Sequence, residues 1–203
     1  MLDCHVAIKK QRMSYIDPYV TVVCAHPNHT IEIRTSMTFT VAHTNVSKGF
    51  RGGERQTALL IEELSQLDIS QILIARKGGL LASRLDVPNL TTRLTMGDPL
   101  SVALACKGAS IVHAHEGRSI YGAYLYSLLT GIPYCVTRRV NNPLGNHFLA
   151  RKAYQNAEFV AVVAPQVGDV VQIHNPRIKP EVVYSSSSMR NRHFFVLCCL
   201  CLC

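Results

Sequence analysis

A chain of 203 residues, 48% hydrophobic and 17% charged, carries enough apolar material for one well-buried domain and too little length for a two-domain machine. Its formal charge of +8 invites nucleic acid, but no Lys/Arg block occurs and aromatic residues are not interleaved with basic ones. An anionic small molecule or a membrane surface is the better match, and no nucleic-acid partner is expected. The cysteines argue for a reducing compartment: Cys4, Cys24, Cys106 and Cys135 stand singly, and the rest crowd into the terminal "CCLCLC", with no disulfide framework or zinc spacing.

No signal-peptide core opens the chain, and no run approaches the ~20 apolar residues that span a bilayer. A cytoplasmic location is therefore the expectation. Residues 1–36 read as an irregular extension, in which only "YVTVVCAH" (Tyr19 to His26) is strand-like and no partner pattern stands out. Met37 reads as a plausible true start. From there the pattern becomes periodic, and residues 37–185 read as one domain.

"MTFTVAHT" opens that domain as a strand. A turn-forming loop, "TNVSKGFRGG", leads to a helix beginning near Glu54 whose apolar positions Ala58, Leu59, Ile61 and Leu64 share one broad face. "QILIAR" (Gln71 to Arg76) is a buried strand, "GGLLASRLD" a short helix and "NLTTRLT" a strand. "DPLSVALACKGA" is a helix with Asp98 as cap and Pro99 at its first position. "SIVHAHE" (Ser110 to Glu116) is the most hydrophobic strand, and "SIYGAYLYSLLTG" a helix ended by Gly131. The strand "PYCVTRR", the helix "NHFLARKAYQN", the strand "EFVAVVA", the helix "PQVGDVVQIHN" and the strand "EVVYSS" complete the series. Seven strands separated mostly by helices predict an α/β fold with a doubly wound, mostly parallel, Rossmann-like sheet. Residues 186–203 leave the pattern: a serine run precedes an apolar, cysteine-dense end. That tail suits a lipidated or metal-binding segment less well than a chain that has left its reading frame or lost its continuation.

In an open parallel sheet, ligands bind beyond the carboxyl ends of the strands, where the strand order reverses. Two segments should meet there: the opening loop and "HAHEGRS" (His113 to Ser119). Gly49, Gly52 and Gly53 remove side chains so that backbone amides can approach a ligand, and the following helix aims N–H groups and partial positive charge at the same place. A phosphate or carboxylate would fit. Neither GxGxxG nor GxxxxGK[ST] occurs, which argues against NAD and ATP. The glycines also suit an ordinary strand-to-helix turn, and Glu54 an ordinary first-turn acid.

His113 and His115 flank Ala114, so both imidazoles fall on one face of the strand end. Followed by Glu116 and Arg118, they form a candidate acid/base group. Zinc would need a third ligand that the sequence does not supply nearby, so no metal is expected. Arg138 and Arg139 end the next strand, where guanidinium groups suit a phosphate or an acidic sugar, or stand as solvated surface charges.

Taken together, "GFRGGERQTALLIEEL", "IVHAHEGRSIYGAYLYSLLTGIPYCVTRRV" and "AEFVAVVAPQVGDVV" resemble the amino-terminal, acceptor-side domain of bacterial GT-B glycosyltransferases of family 4, over roughly Met37 to Ser185. The resemblance implies retaining transfer of a sugar from a nucleotide-diphosphate donor, with no further cofactor, to a glycan or glycolipid acceptor such as lipopolysaccharide. It implies peripheral contact with the cytoplasmic face of the inner membrane, although no basic amphipathic helix is legible. Carried over, Gly52 and Gly53 match the family's donor-approaching loop, with Glu54 and Arg55 opening its helix, and His113, His115 and Glu116 match its cleft-lining strand end. The family's histidine near the reacting sugar has no counterpart, since Arg118 and Arg138-Arg139 stand in those neighbourhoods.

The donor-binding carboxy-terminal domain of that family has no counterpart in these residues, which are expected to be inactive alone unless a separately encoded chain supplies it. Two other readings stay open: a standalone anion- or nucleotide-binding module without catalysis, and half of another GT-B enzyme such as a sugar-nucleotide epimerase.

Overall fold

A computed structural model describes residues 19–26, 29–36, 39–67, 69–145 and 148–183. The tail at 186–203 and Met37 lie outside the described residues. Backbone contacts divide the chain between Phe39 and Thr40 into two units.

In the first unit, β1 (Tyr19–His26) pairs antiparallel with β2 (His29–Ser36), in a register that sets Tyr19 opposite Ser36 and His26 opposite His29. The strand expected at Tyr19–His26 thus has a partner, and this stretch is a hairpin rather than irregular chain. The signal lay in "HTIEIRTS", whose alternation of apolar and polar residues is the period of a strand.

The second unit is an α/β domain built on a seven-stranded parallel sheet in the order β5-β4-β3-β6-β7-β8-β9. Its strands are β3 (Thr40–Asn45), β4 (Ser70–Arg76), β5 (Leu90–Thr95), β6 (Ile111–Ala114), β7 (Tyr134–Arg138), β8 (Phe159–Val162) and β9 (Glu181–Val182). The helices are α1 (Gly52–Ser65), α2 (Pro99–Ala105), α3 (Ile120–Thr130), α4 (Phe148–Gln155) and α5 (Pro165–His174). The chain runs outward from β3 to β5, returns through α2 to β6 beside β3, and then winds outward to β9. This is the doubly wound Rossmann-like arrangement expected from the sequence, with its switch point between β3 and β6. Among the described residues, no helix is long and apolar enough to cross a membrane.

Strand alternation divides the core into two layers. Ala42, Ile72, Ile74, Val112 and Val136 join side chains of α2 to α5 in one cluster. Leu73 and Ala75 point the other way, onto Ala58 and Ile61 of α1. On α1 the buried set includes Leu60, where the sequence pattern suggested Leu59, because Leu60 and Leu64 pack with Ile69 in a small satellite cluster.

Local signals account for several boundaries. Asp98 caps α2 by accepting from the Ser101 N–H at 2.9 Å, with Pro99 at the first helical position. Gly131 ends α3 in the left-handed region at φ 74°. The short helix expected over "GGLLASRLD" is only a 3-10 turn at Ala82–Arg84. Gly78 is left-handed at φ 73°, and a Cβ on Gly79 would lie 2.8 Å from the Ser47 carbonyl, so the chain turns tightly there rather than coiling. The segment need bury only Leu81 under α1, while Leu80 stays half exposed.

α2 and α3 pack in close contact. A Cβ on Gly122 would sit 2.4 Å from Val102 Cγ1. Gly122→Ala is expected to lower the melting temperature, because overpacking of about 1–3 kcal/mol outweighs a gain in helix propensity of about 1 kcal/mol. Thermal unfolding checks this, and a variant as stable as the parent would show that the α2–α3 contact is loose.

Candidate functional site

The carboxyl ends of β3 and β6 are stapled together at the switch point. The His115 N–H donates to the Thr44 carbonyl at 3.0 Å, and the Ser119 hydroxyl donates to the same oxygen at 2.9 Å. Thr44 Oγ1 donates to the His113 carbonyl at 3.4 Å. Asn45, the last residue of β3, donates through Nδ2 to Thr57 Oγ1 at 3.1 Å and so fixes the second turn of α1 against the sheet. The opening loop is thereby anchored at both ends.

α1 starts at Gly52, two residues before the expected position. Glu54 accepts from the Arg51 N–H at 2.8 Å, so its carboxylate closes the helix start and is buried there. Packing inside the protein does not demand glycine at 52 or 53: a Cβ on Gly52 would meet nothing within 4 Å, and one on Gly53 only Arg139 Cδ at 3.9 Å. The space beside the helix start is open.

Beneath this corner lies a set of buried imidazoles. His43 on β3 stands in register with His113 on β6, and His113 and His115 have ring centroids 3.9 Å apart. His43 was not singled out from sequence; the signal was its place near the carboxyl end of the first domain strand. It supplies the third imidazole that the sequence reading lacked, and the ligand atoms of His43, His113 and His115 all lie within 4.8 Å of one another.

Hydrogen bonding gives His43 and His115 another assignment than metal binding. Gln71 Nε2 donates to the Ile61 carbonyl at 3.0 Å, which turns Gln71 Oε1 toward His43 as an acceptor. His43 Nε2–H then donates to that oxygen at 3.1 Å, leaving Nδ1 to accept from His115 Nε2–H at 3.0 Å. His115 Nδ1 in turn accepts from Arg139 Nη2 at 3.3 Å. The lone pairs of His43 and His115 are both consumed, and a guanidinium stands where a cation would have to approach. The same bonds deprive His115 of a lone pair with which to act as a base. His113 Nε2 bonds Thr137 Oγ1 at 2.7 Å below the pocket surface.

Burial pushes His43 down to about 3, helped by the neighbouring His113, and pushes His115 well below the usual imidazole range, helped by His113 and Arg139. Both rings stay neutral.

Above them opens a pocket of about 590 Å³. It is lined by Lys48, Arg51, Arg76, Arg118, Arg138 and Arg139 against two carboxylates, Glu54 and Glu116. The surplus is positive. Glu116 accepts from the amides of Arg118 and Ser119 at 3.2 and 3.1 Å, at the start of α3. Burial raises its carboxyl above the usual range, and those amides act in the opposite direction. Arg139 is clamped, donating to Gln56 Oε1 at 3.0 Å and to the His115 carbonyl at 2.8 Å.

Of the residues expected at the site, the pocket wall brings together Gly49, Gly53, Glu54, His115, Glu116, Arg118, Arg138 and Arg139. Gly52 and Arg55 are exposed outside it, and His113 is buried beneath. The sequence reading missed Lys48, Arg51, Arg76 and Tyr154 as lining groups. Arg76 was legible as the last residue of a strand, whereas Tyr154 comes from α4 with no local signal.

The neutral imidazoles make stability pH-dependent. Their folded values lie below the unfolded value near 6.5, so the unfolded chain binds the extra protons. Stability is full above about 6.5 and falls as pH drops toward about 3, by up to about 1.4 kcal/mol per unit per ring. The melting temperature should fall between pH 7 and pH 5, and His43→Gln should make that fall shallower. An unchanged slope in the variant would remove His43 from the account.

No family model matches the chain, and no curated protein matches it. Solved structures do. The chain is similar to HepE of Anabaena in complex with UDP and glucose, at 12% identity and a TM-score of 0.56, over 72% of this chain and 44% of that one. HepE in complex with UDP-glucose gives 11% identity and a TM-score of 0.59, over 71% and 43%. The apo form of the lipopolysaccharide outer core galactosyltransferase WaaB gives 11% and 0.53, over 74% and 46%. The chain spans less than half the length of each, and at these identities what it shares with them is the Rossmann-like α/β fold.

Proposed function

We propose that this domain forms the acceptor-side wall of a sugar-transfer cleft in a retaining, family 4-like glycosyltransferase. A sugar would pass there from a nucleotide-diphosphate donor to a glycan or glycolipid acceptor, of the lipopolysaccharide or another surface-glycan type, at the cytoplasmic face of the membrane. The observation that carries this reading is the basic pocket at the switch point, where the open start of α1 and the end of β6 face one another across lining cations. A helix start with space for close approach is suited to phosphate oxygens, and the cations offset the charge of a diphosphate.

The fold shared with HepE, which was solved with UDP-glucose, and with the galactosyltransferase WaaB supports the same class. Fold likeness alone does not carry an activity, so the pocket chemistry is the stronger support. In this reading residues 37–185 are the acceptor-side domain. In the same reading the main donor-binding surface belongs to a second domain, as the resemblance implies; the chain itself spans less than half of each of those structures.

Calorimetric titration tests the assignment. The protein should bind a glycolipid acceptor more tightly than UDP or UDP-glucose, and should turn over no UDP-glucose by itself. Preference for the nucleotide would favour a nucleotide-binding module instead, and turnover by this chain alone would overturn the division of labour.

A further inference from the structure

Arg138 and Arg139 are neighbours in sequence but diverge in space, because consecutive strand residues point to opposite faces. Arg139 turns toward α1 and is held by Gln56 and His115. Arg138 turns toward α4 and is 7% exposed. Its Nη1 donates to the Tyr154 hydroxyl at 3.3 Å and its Nη2 to the Asn142 carbonyl, while Nε is buried and has no partner. Among the described residues no carboxylate pairs with Arg138. Glu116 lines the same pocket, but its oxygens are turned to the amides at the start of α3.

A buried guanidinium without a counter-charge is costly, since the charge has left water and its planar set of five donors is incompletely used. Tyr154 and Asn142 offer only neutral oxygens. An oxyanion entering from the pocket would complete the arrangement, because a carboxylate or phosphate can accept from a guanidinium edge and neutralise it together.

We propose that Arg138, with the Tyr154 hydroxyl beside it, is a preformed receptor for a single anionic group, a carboxylate or a phosphate monoester, carried by the sugar that occupies the cleft. This deepens the reading of the cleft as an acceptor wall and rests on it: the acceptor would be an acidic or phosphorylated sugar. The site is separate from the α1 start, which lies on the other side of the sheet end with Arg139.

Glucuronate, glucose 6-phosphate and glucose are titrated into the 203-residue protein, and the stronger of the two anionic probes identifies the group. At least one anionic sugar should bind at least tenfold more tightly than glucose. Arg138→Gln should erase that preference, whereas Lys107→Gln, which removes an exposed charge outside the pocket, should change it less than threefold. A parent protein that does not discriminate, an Arg138→Gln variant that still does, or an equal loss in Lys107→Gln would each overturn the proposal. Stability supplies an independent readout: Arg138→Met should melt at the same temperature as the unliganded parent or higher. A lower melting temperature would assign the arginine to holding Asn142 and Tyr154 in place and would overturn it as well. The nucleotide and turnover measurements test the cleft's wider assignment, and their failure leaves this preference measurable on its own.

Discussion

The adjacency of β3 and β6 is the constraint on which the site depends. The chain leaves these two parallel strands toward opposite edges of the sheet, so the loops that follow them part and leave a crevice. Both strand ends must nevertheless be held rigidly, because a pocket wall that drifts loses its aim. The Thr44 carbonyl does much of this by accepting from both the His115 amide and the Ser119 hydroxyl, which ties the end of β3 to the start of α3.

The same strand ends show how a buried polar layer serves a surface site. On the face under α1, His43, Gln71 and His115 replace the aliphatic side chains that a parallel sheet ordinarily buries, and each donor finds an acceptor along one directed chain. Its last member is the Arg139 guanidinium, a pocket-lining charge that is oriented from beneath. Protonating either ring would break that direction, which is why burial that keeps them neutral matters to the geometry above. The three imidazoles look like a metal set by distance alone, and the accounting of lone pairs gives His43 and His115 a different role.

Periodicity made the domain legible because each β/α unit carries its own signal. The Asp98-Pro99 start, the Gly131 stop and the apolar strand cores are local facts, and they yield the seven strands and the switch point in order. The failures have a common cause. "GGLLASRLD" contains three leucines that suggest a helix, but close backbone approach at Gly79 decides its shape, and that contact is with Ser47, far away in sequence. His43 was hidden for the same reason: a single histidine in a strand becomes part of a cluster only when its cross-strand partner is known. Tyr154 reaches the pocket from a helix whose pattern reports only its buried face.

The electrostatics of the pocket follow from where its carboxylates are spent. Glu54 is committed to the Arg51 amide and Glu116 to the amides that open α3, so neither neutralises the arginines around them by direct pairing. Backbone amides thus hold the two anions, and the cations are left facing the cavity. Side chains of one sign, set against a low-dielectric wall, attract an oppositely charged ligand more strongly than the same charges would in open solvent. The arrangement also explains why the excess is concentrated at a strand-end crevice rather than in a basic stripe: the fold gathers Lys48, Arg76, Arg118 and Arg138 from four different loops and strand ends. A surface built that way is concave and small, suited to an anionic group on a compact ligand and poorly suited to a long nucleic-acid backbone.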